Sequence, residues 1–86
     1  MVKVSKELHS ANYYMRRSAY LSAANRAKYV IENYPQTPAV PDALAIMVRA
    51  YQQLGVQDLA NNALEILKLN FPEHEGIDEL SESPAS

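Results

Sequence analysis

Apolar residues recur every three to four positions along most of this chain, and no segment alternates in the manner of a half-buried strand. This periodicity predicts an all-α fold. Four helices are expected, at about residues 5–17, 20–33, from a start within 37–41 to 54, and 57–70. Because the apolar positions of each helix fall on one side, the four helices are expected to pack antiparallel around a shared core.

The ends of the predicted helices carry residue types that start or stop a helix. Ser5 is a candidate N-cap for the first helix, and Thr37 is one for the third. Pro35 and Pro72 are expected to end the second and fourth helices, because the residue before a proline is pushed out of the helical region. Gly55 follows the third helix and can adopt the left-handed conformation that often ends one.

The chain matches itself when it is shifted by 37 residues. The matching positions have packing roles: aromatic residues fill gaps between helices, alanines let helices approach closely, and prolines end the second helix of each hairpin. They are Tyr14 and Tyr51, Ala23 and Ala60, Asn25 and Asn62, Val30 and Leu67, Asn33 and Asn70, Tyr34 and Phe71, and Pro35 and Pro72. The spacing resembles the tetratricopeptide pattern, whose period is about 34 residues. A generic four-helix bundle is the alternative.

This repeat predicts two tetratricopeptide-type hairpins, at residues 5–35 and 37–72, which form an α-solenoid fragment within one domain at 1–72. Such arrays usually need about three repeats for stability, so a longer array or a partner is expected. Residues 73–86 contain five acids and no Lys or Arg, and they are expected to form a largely disordered tail. At most, Ile77 and Leu80 would hold this tail against the helices.

Positive charge is concentrated at the start of the chain, where residues 1–28 hold six of the eight Lys and Arg residues against one acid. A solvated helix face, a nucleic-acid site and a docking surface for an acidic protein are the three interpretations. The net charge of −2 and the lack of a nucleic-acid-binding motif argue against nucleic acid. The predicted protein-binding residues are Arg26, Arg16, Arg17, Lys28 and Tyr13.

Two features stand out on the predicted helical wheels: one arginine on the second helix and the apolar surface of the fourth. Arg26 lies roughly 60° from Ala23, at the edge of the apolar arc, where its stem can cover apolar surface while its head binds a carboxylate. The fourth helix has more apolar residues than one hairpin partner needs. Its candidate second interface consists of Leu59, Ile66 and Leu69, which either the tail or another chain would cover, including a second copy in a homodimer.

Residues that carry chemistry are scarce. The chain has no cysteine and no phosphate-binding glycine loop. Its two histidines, His9 and His74, lie far apart in sequence and have no neighbour at metal-ligand spacing. No catalytic, cofactor-binding or metal-binding residue is predicted, and the chain is not expected to be an enzyme.

A more specific resemblance covers roughly residues 2–72. It rests on KEL at 6–8, on Tyr13, Tyr14 and Arg17 in a YY-x-x-R pattern, and on the pair Asn25-Arg26. It continues with YP-x-T at 34–37, DAL at 42–44 and AY at 50–51. With these motifs the chain resembles the C-terminal tetratricopeptide repeats of the BamD family of outer-membrane assembly lipoproteins.

The resemblance implies a non-catalytic subunit of the β-barrel assembly machinery, in the periplasm at the inner face of the outer membrane of a Gram-negative bacterium. It implies that these repeats dock a POTRA domain of BamA and contact small accessory lipoproteins, with Arg26 pairing with an acidic group on the POTRA domain. The lipid-anchor cysteine is absent, so this chain is not expected to attach itself to a membrane. A self-associating tetratricopeptide module unrelated to barrel assembly is the alternative.

Overall fold

The computed structural model describes the backbone of residues 2–82 and the side chains of residues 6–81. This part of the chain is all-α, as predicted, and contains no strand. The helices are α1 (Val2–Arg16), α2 (Tyr20–Asn33), α3 (Ala39–Leu54), α4 (Gln57–Asn70) and α5 (Ile77–Glu82). The predicted start at Ser5 was wrong, because α1 already includes Val2, and no proline or glycine precedes Ser5 to interrupt the helix.

The order in which the helices pack is that of a helical-repeat stack. Helix α1 packs on α2, α2 on α3, and α3 on α4, while α1 also contacts α3. Within the described residues α1 and α4 do not touch. A closed four-helix bundle would bring its first and last helices together, so this packing favours the tetratricopeptide-type arrangement over the bundle.

The turn inside each hairpin has the same backbone conformation. Ser18 has φ 61° and Gly55 has φ 78°, so both adopt the left-handed region at positions 37 residues apart. The next residues, Ala19 and Val56, have φ/ψ of −90°/70° and −95°/79°. Their amides donate to carbonyls one helical turn back, at 2.8 and 3.0 Å. The left-handed residue is therefore part of the repeat, although one copy is a glycine and the other is not.

The second helix of each hairpin also ends in the same way. Tyr34 has φ/ψ of −133°/55° and Phe71 has −137°/59°, and each donates its amide back into its helix at 2.8 Å. The preceding side chains, Asn33 and Asn70, donate from Nδ2 to carbonyls four residues back at 2.9 and 3.0 Å. The predicted 37-residue repeat thus corresponds to repeated hydrogen bonds as well as repeated residue types.

Small residues allow the helices to approach closely. Ala23 and Ala60, which match in the repeat, are 0% and 1% exposed. Most of the buried side chains form two clusters. The first contains Ala11, Ala23, Ala27, Val30, Ala39, Ala43 and Ile46, and the second contains Val40, Leu44, Val48, Ala63, Leu67 and Leu80.

Part of the segment predicted to be a disordered tail is folded. Helix α5 packs on α4 and α3, and Leu80 is only 3% exposed while Ile77 packs beside it. The expected packing of Ile77 and Leu80 against the helices is therefore confirmed. The disorder predicted for residues 77–82 was wrong, because these two side chains fill a surface that α3 and α4 leave open. The rest of the predicted tail, 83–86, lies outside the described residues.

Three polar contacts accompany the apolar packing of α5. The Nε2 atom of His74 lies 3.1 Å from Asp42 Oδ1, and Arg49 donates from Nη2 to Glu79 Oε1 at 3.3 Å. Gln52 donates from Nε2 to the backbone carbonyl of Leu80 at 3.3 Å. All three contacts join the last segment to α3, so α5 occupies a defined position.

Helix α5 also continues the repeat. A shift of 37 residues places Val40 on Ile77 and Ala43 on Leu80, so α5 corresponds to the first turns of α3. The repeat is less regular on α4 itself. Ala24 is fully buried on α2, whereas its counterpart Asn61 on α4 is exposed and accepts a hydrogen bond from Gln57 Nε2 at 3.1 Å. The stacking side of α4 is therefore polar where that of α2 is apolar.

Candidate protein-binding surface

Arg26 lies on α2 and reaches across to α1. Its Nη1 donates to Glu7 Oε1 at 3.1 Å, and the side chains are 45% and 18% exposed, respectively. This is the only hydrogen bond that the Arg26 side chain makes within the described residues. Since a guanidinium carries several N–H donors in a planar fork, Nε and Nη2 remain able to bind a second carboxylate.

Two other predicted basic residues, Arg16 at the end of α1 and Arg17 just after it, lie near an exposed tyrosine. The guanidinium carbon of Arg17 lies 5.5 Å from the ring centre of Tyr13, which is 47% exposed and packs edge-on against Tyr14 at 5.6 Å. Arg16 is exposed next to a shallow depression of about 300 Å³, which Tyr13 also lines. This surface combines positive charge with an aromatic face, a combination common in protein interfaces.

The structure does not unite the predicted basic residues into one surface. Glu7, which marks the position of Arg26, lies about 9 Å along α1 from Tyr13 and on a different side of the helix. Lys28 is exposed on α2, but about 160° around the helix from Arg26. Arg26 with Glu7, the Tyr13 surface, and Lys28 are therefore three separate places.

The candidate second interface on α4 is exposed. Leu59 is 45% exposed, Ile66 is 47% and Leu69 is 74%. The cluster in which α5 packs on α4 does not include these three side chains, which stay exposed. In the first hairpin the corresponding positions hold a serine, a tyrosine and a glutamate, at 22, 29 and 32. The hairpin packing therefore does not require apolar residues there.

Glu7 is the residue that the sequence interpretation missed. It was counted only as the single acid in a basic segment, yet it is the partner of Arg26. The 37-residue shift contained a signal, since it places Glu7 on Leu44 and Arg26 on Ala63. Two positions that are apolar in one hairpin and oppositely charged in the other are candidates for an ion pair.

Two other kinds of site are absent from the part of the chain that the structure describes. Among residues 2–82, no group of three or more Asp, Glu or His side chains is arranged to hold a metal ion. None of the helices in this range has the length and hydropathy needed to cross a membrane.

Comparison with known proteins identifies the family. A family model described as the outer membrane lipoprotein YfiO matches residues 4–67. The outer membrane protein assembly factor BamD of Xylella fastidiosa is 44% identical over 68 residues, which cover 79% of this chain and 23% of that protein. BamD of Neisseria meningitidis serogroup A is 47% identical over 66 residues, covering 77% of this chain and 25% of the relative.

A more distant relative gives the same result. BamD of Vibrio cholerae is 38% identical over 64 residues, which cover 74% of this chain and 27% of that protein. The chain thus spans about a quarter of the length of the curated relatives it matches. The match includes both hairpins almost completely, and with them Glu7, Arg26 and the turn at Ser18. On these matches and on its helical-repeat fold, the chain belongs to the YfiO family of outer membrane lipoproteins, which includes BamD.

Proposed function

We propose that this chain is a non-catalytic scaffold of the outer-membrane β-barrel assembly machinery, and that it docks the POTRA region of BamA. The relatives are named as outer membrane protein assembly factors, which supports a role in the same process. The proposed location is the periplasmic face of the outer membrane. There the lipid anchor of the full lipoprotein would supply the membrane attachment.

The single observation that carries this proposal is the position of Arg26. Its side chain lies at the edge of the contact between α1 and α2 and is about half exposed. Its Nη1 atom binds Glu7, and Nε and Nη2 make no side-chain hydrogen bond within the described residues. An arginine in this setting suits an acidic group on a folded partner, because its planar fork can bind both oxygens of a carboxylate. The surplus of basic residues in 1–28 would favour the approach of an acidic surface.

The test is direct binding between this chain and the POTRA domains of the BamA from the same organism, measured by calorimetry at low and high salt. The parent should bind, and more weakly at high salt. Arg26→Glu should lower the affinity by more than about tenfold, since it removes a close charge pair. Lys28→Glu is the matched control, because it makes the same charge change on nearly the opposite side of α2.

Two results would overturn this assignment. If the two charge reversals weaken binding equally, only net charge matters and Arg26 is not the contact. If the parent does not bind any POTRA domain, the docking proposal itself is wrong. Circular dichroism of each variant checks that Arg26→Glu, which places a second carboxylate beside Glu7, still folds.

The exposed apolar side chains on α4 support a second interface. We assign Leu59, Ile66 and Leu69 to an accessory lipoprotein of the same machinery, since the hairpin does not need apolar residues at these positions. The alternative is self-association through the same side chains. An antiparallel pair of α4 helices would bring the exposed Glu65 close to its own copy, which disfavours that arrangement.

Light scattering separates these two occupants of α4. The double variant Leu59→Glu, Ile66→Glu should leave the mass of the isolated chain unchanged while it abolishes binding of the accessory subunit. Ser22→Glu, at the position on α2 that corresponds to Leu59, is the control. A parent dimer that the double variant splits, without any POTRA binding, would favour a self-associating module instead.

A further inference from the structure

The ion pair between Glu7 and Arg26 occupies positions where the second hairpin uses apolar side chains. The 37-residue shift places Glu7 on Leu44 and Arg26 on Ala63. Leu44 and Ala63 belong to one buried cluster and are 3% and 4% exposed. The same hairpin therefore packs at these two positions without any charge, and the fold does not require the ion pair of the first hairpin.

The two members of the pair differ in their freedom. The side chain of Glu7 is only 18% exposed, so the position of its carboxylate between α1 and α2 is restricted. The side chain of Arg26 is 45% exposed, and its guanidinium would otherwise be held only by a long flexible stem. Because Glu7 accepts from Nη1 at 3.1 Å, it limits the rotation of that guanidinium and leaves the edge formed by Nε and Nη2 uncommitted.

We infer that Glu7 is a positioning residue, which holds Arg26 with its Nε and Nη2 edge ready for a carboxylate on an acidic protein partner. The inference rests on the proposed docking function and adds a residue to it. A pre-oriented arginine loses less conformational freedom when the partner binds. It also favours a carboxylate that is presented in fork geometry over an anion that approaches from any direction.

Glu7 also has an effect of the opposite sign, because its charge repels an incoming carboxylate. Two variants separate the effects. Glu7→Gln removes the charge but keeps a side-chain oxygen that can accept from Arg26. Glu7→Leu removes both and copies Leu44, the residue that the second hairpin uses at this position. Since both variants lose the same charge, the difference in affinity between them reports orientation alone.

The experiment measures binding of the POTRA domains to both variants, in the parent and in an Arg26→Ala background. Glu7→Gln should bind about three- to tenfold more tightly than Glu7→Leu, the range expected for fixing one long side chain. In the Arg26→Ala background this difference should vanish, because no guanidinium remains to be oriented. Equal affinities in the parent background, or a difference that persists without Arg26, would overturn the inference.

A second measurement tests Glu7 without any partner. The Nε–H group of Arg26 can be followed by NMR relaxation in the free chain. Its order parameter should be similar in the parent and in Glu7→Gln and lower in Glu7→Leu. Unchanged order in Glu7→Leu would overturn the positioning role even if Arg26 proves essential for docking. If instead Arg26→Glu leaves docking intact, the proposed contact fails while the NMR result on Glu7 still stands.

Discussion

The turn residue Ser18 should be a site of stored strain, and Ser18→Gly should stabilise the protein. Ser18 has φ 61°, in the left-handed region, where a side chain with a Cβ atom is crowded by the backbone. The equivalent residue of the second hairpin is already a glycine, Gly55, at φ 78°. The two hairpins thus offer the same turn with and without a Cβ atom.

The size of the effect follows from two opposing contributions. Relief of the left-handed conformation at Ser18 should gain about 1–2 kcal/mol. The greater freedom of glycine in the unfolded chain should cost about 0.5–1 kcal/mol. The hydrogen bond from the Tyr20 hydroxyl to Ser18 Oγ, 3.3 Å long and exposed, contributes little. The two ranges leave a net gain of about 0–1.5 kcal/mol, and the midpoint of about 0.75 kcal/mol corresponds to a rise in Tm of about 3–6 °C for a domain of this size.

The assay is thermal and urea unfolding followed by circular dichroism. The matched variant is Gly55→Ser, which introduces the strain that Ser18→Gly removes. A Cβ atom at Gly55 would meet nothing within 4 Å, so the only cost of the serine is the strain of the left-handed backbone conformation. Gly55→Ser should lower the midpoint, and the double exchange should lie close to the parent. A fall in stability for Ser18→Gly, or shifts of the same sign in both single variants, would refute the reasoning.

Three further predictions concern packing and surface charge, and the same unfolding measurements check them. Leu67→Ala removes a fully buried side chain and should lower the free energy of unfolding by about 2–5 kcal/mol. Leu69→Ala on the same helix, at a side chain that is 74% exposed, should change it by less than about 0.5 kcal/mol. Equal losses in the two variants would contradict the assignment of buried and exposed sides of α4. Leu80→Ala should cost about 2–3 kcal/mol if α5 is part of the folded unit, and no loss would mean that α5 is not held. Arg49→Ala should cost less than about 1 kcal/mol, because its ion pair with Glu79 is largely exposed, and a larger loss would show that this contact anchors α5.

The parts of the fold that could be predicted from the sequence are those determined by local signals. The ends of α2 and α4 were predicted at Tyr20, Asn33, Gln57 and Asn70, because turn residues and prolines bound each apolar pattern. The end of α3 before Gly55 followed from the conformational freedom of glycine. These features depend on residues adjacent in the chain.

The parts that could not be predicted depend on contacts between distant residues. Helix α5 is short and acidic, and its burial depends on the surface that α3 and α4 present to Leu80. The ion pair of the candidate site joins Glu7 and Arg26, which lie 19 residues apart on different helices. A helical wheel places Arg26 at the edge of α2, but it contains no information on what faces it from α1. Only the 37-residue shift relates the two positions, because it places Glu7 on Leu44 and Arg26 on Ala63.

The polar stacking side of α4 gives the array a direction. A further hairpin added after α5 would have to stack on Asn61 and Gln57, which are already hydrogen-bonded to each other and exposed to water. Engineered extension at that end should therefore yield an added hairpin that unfolds independently of the rest.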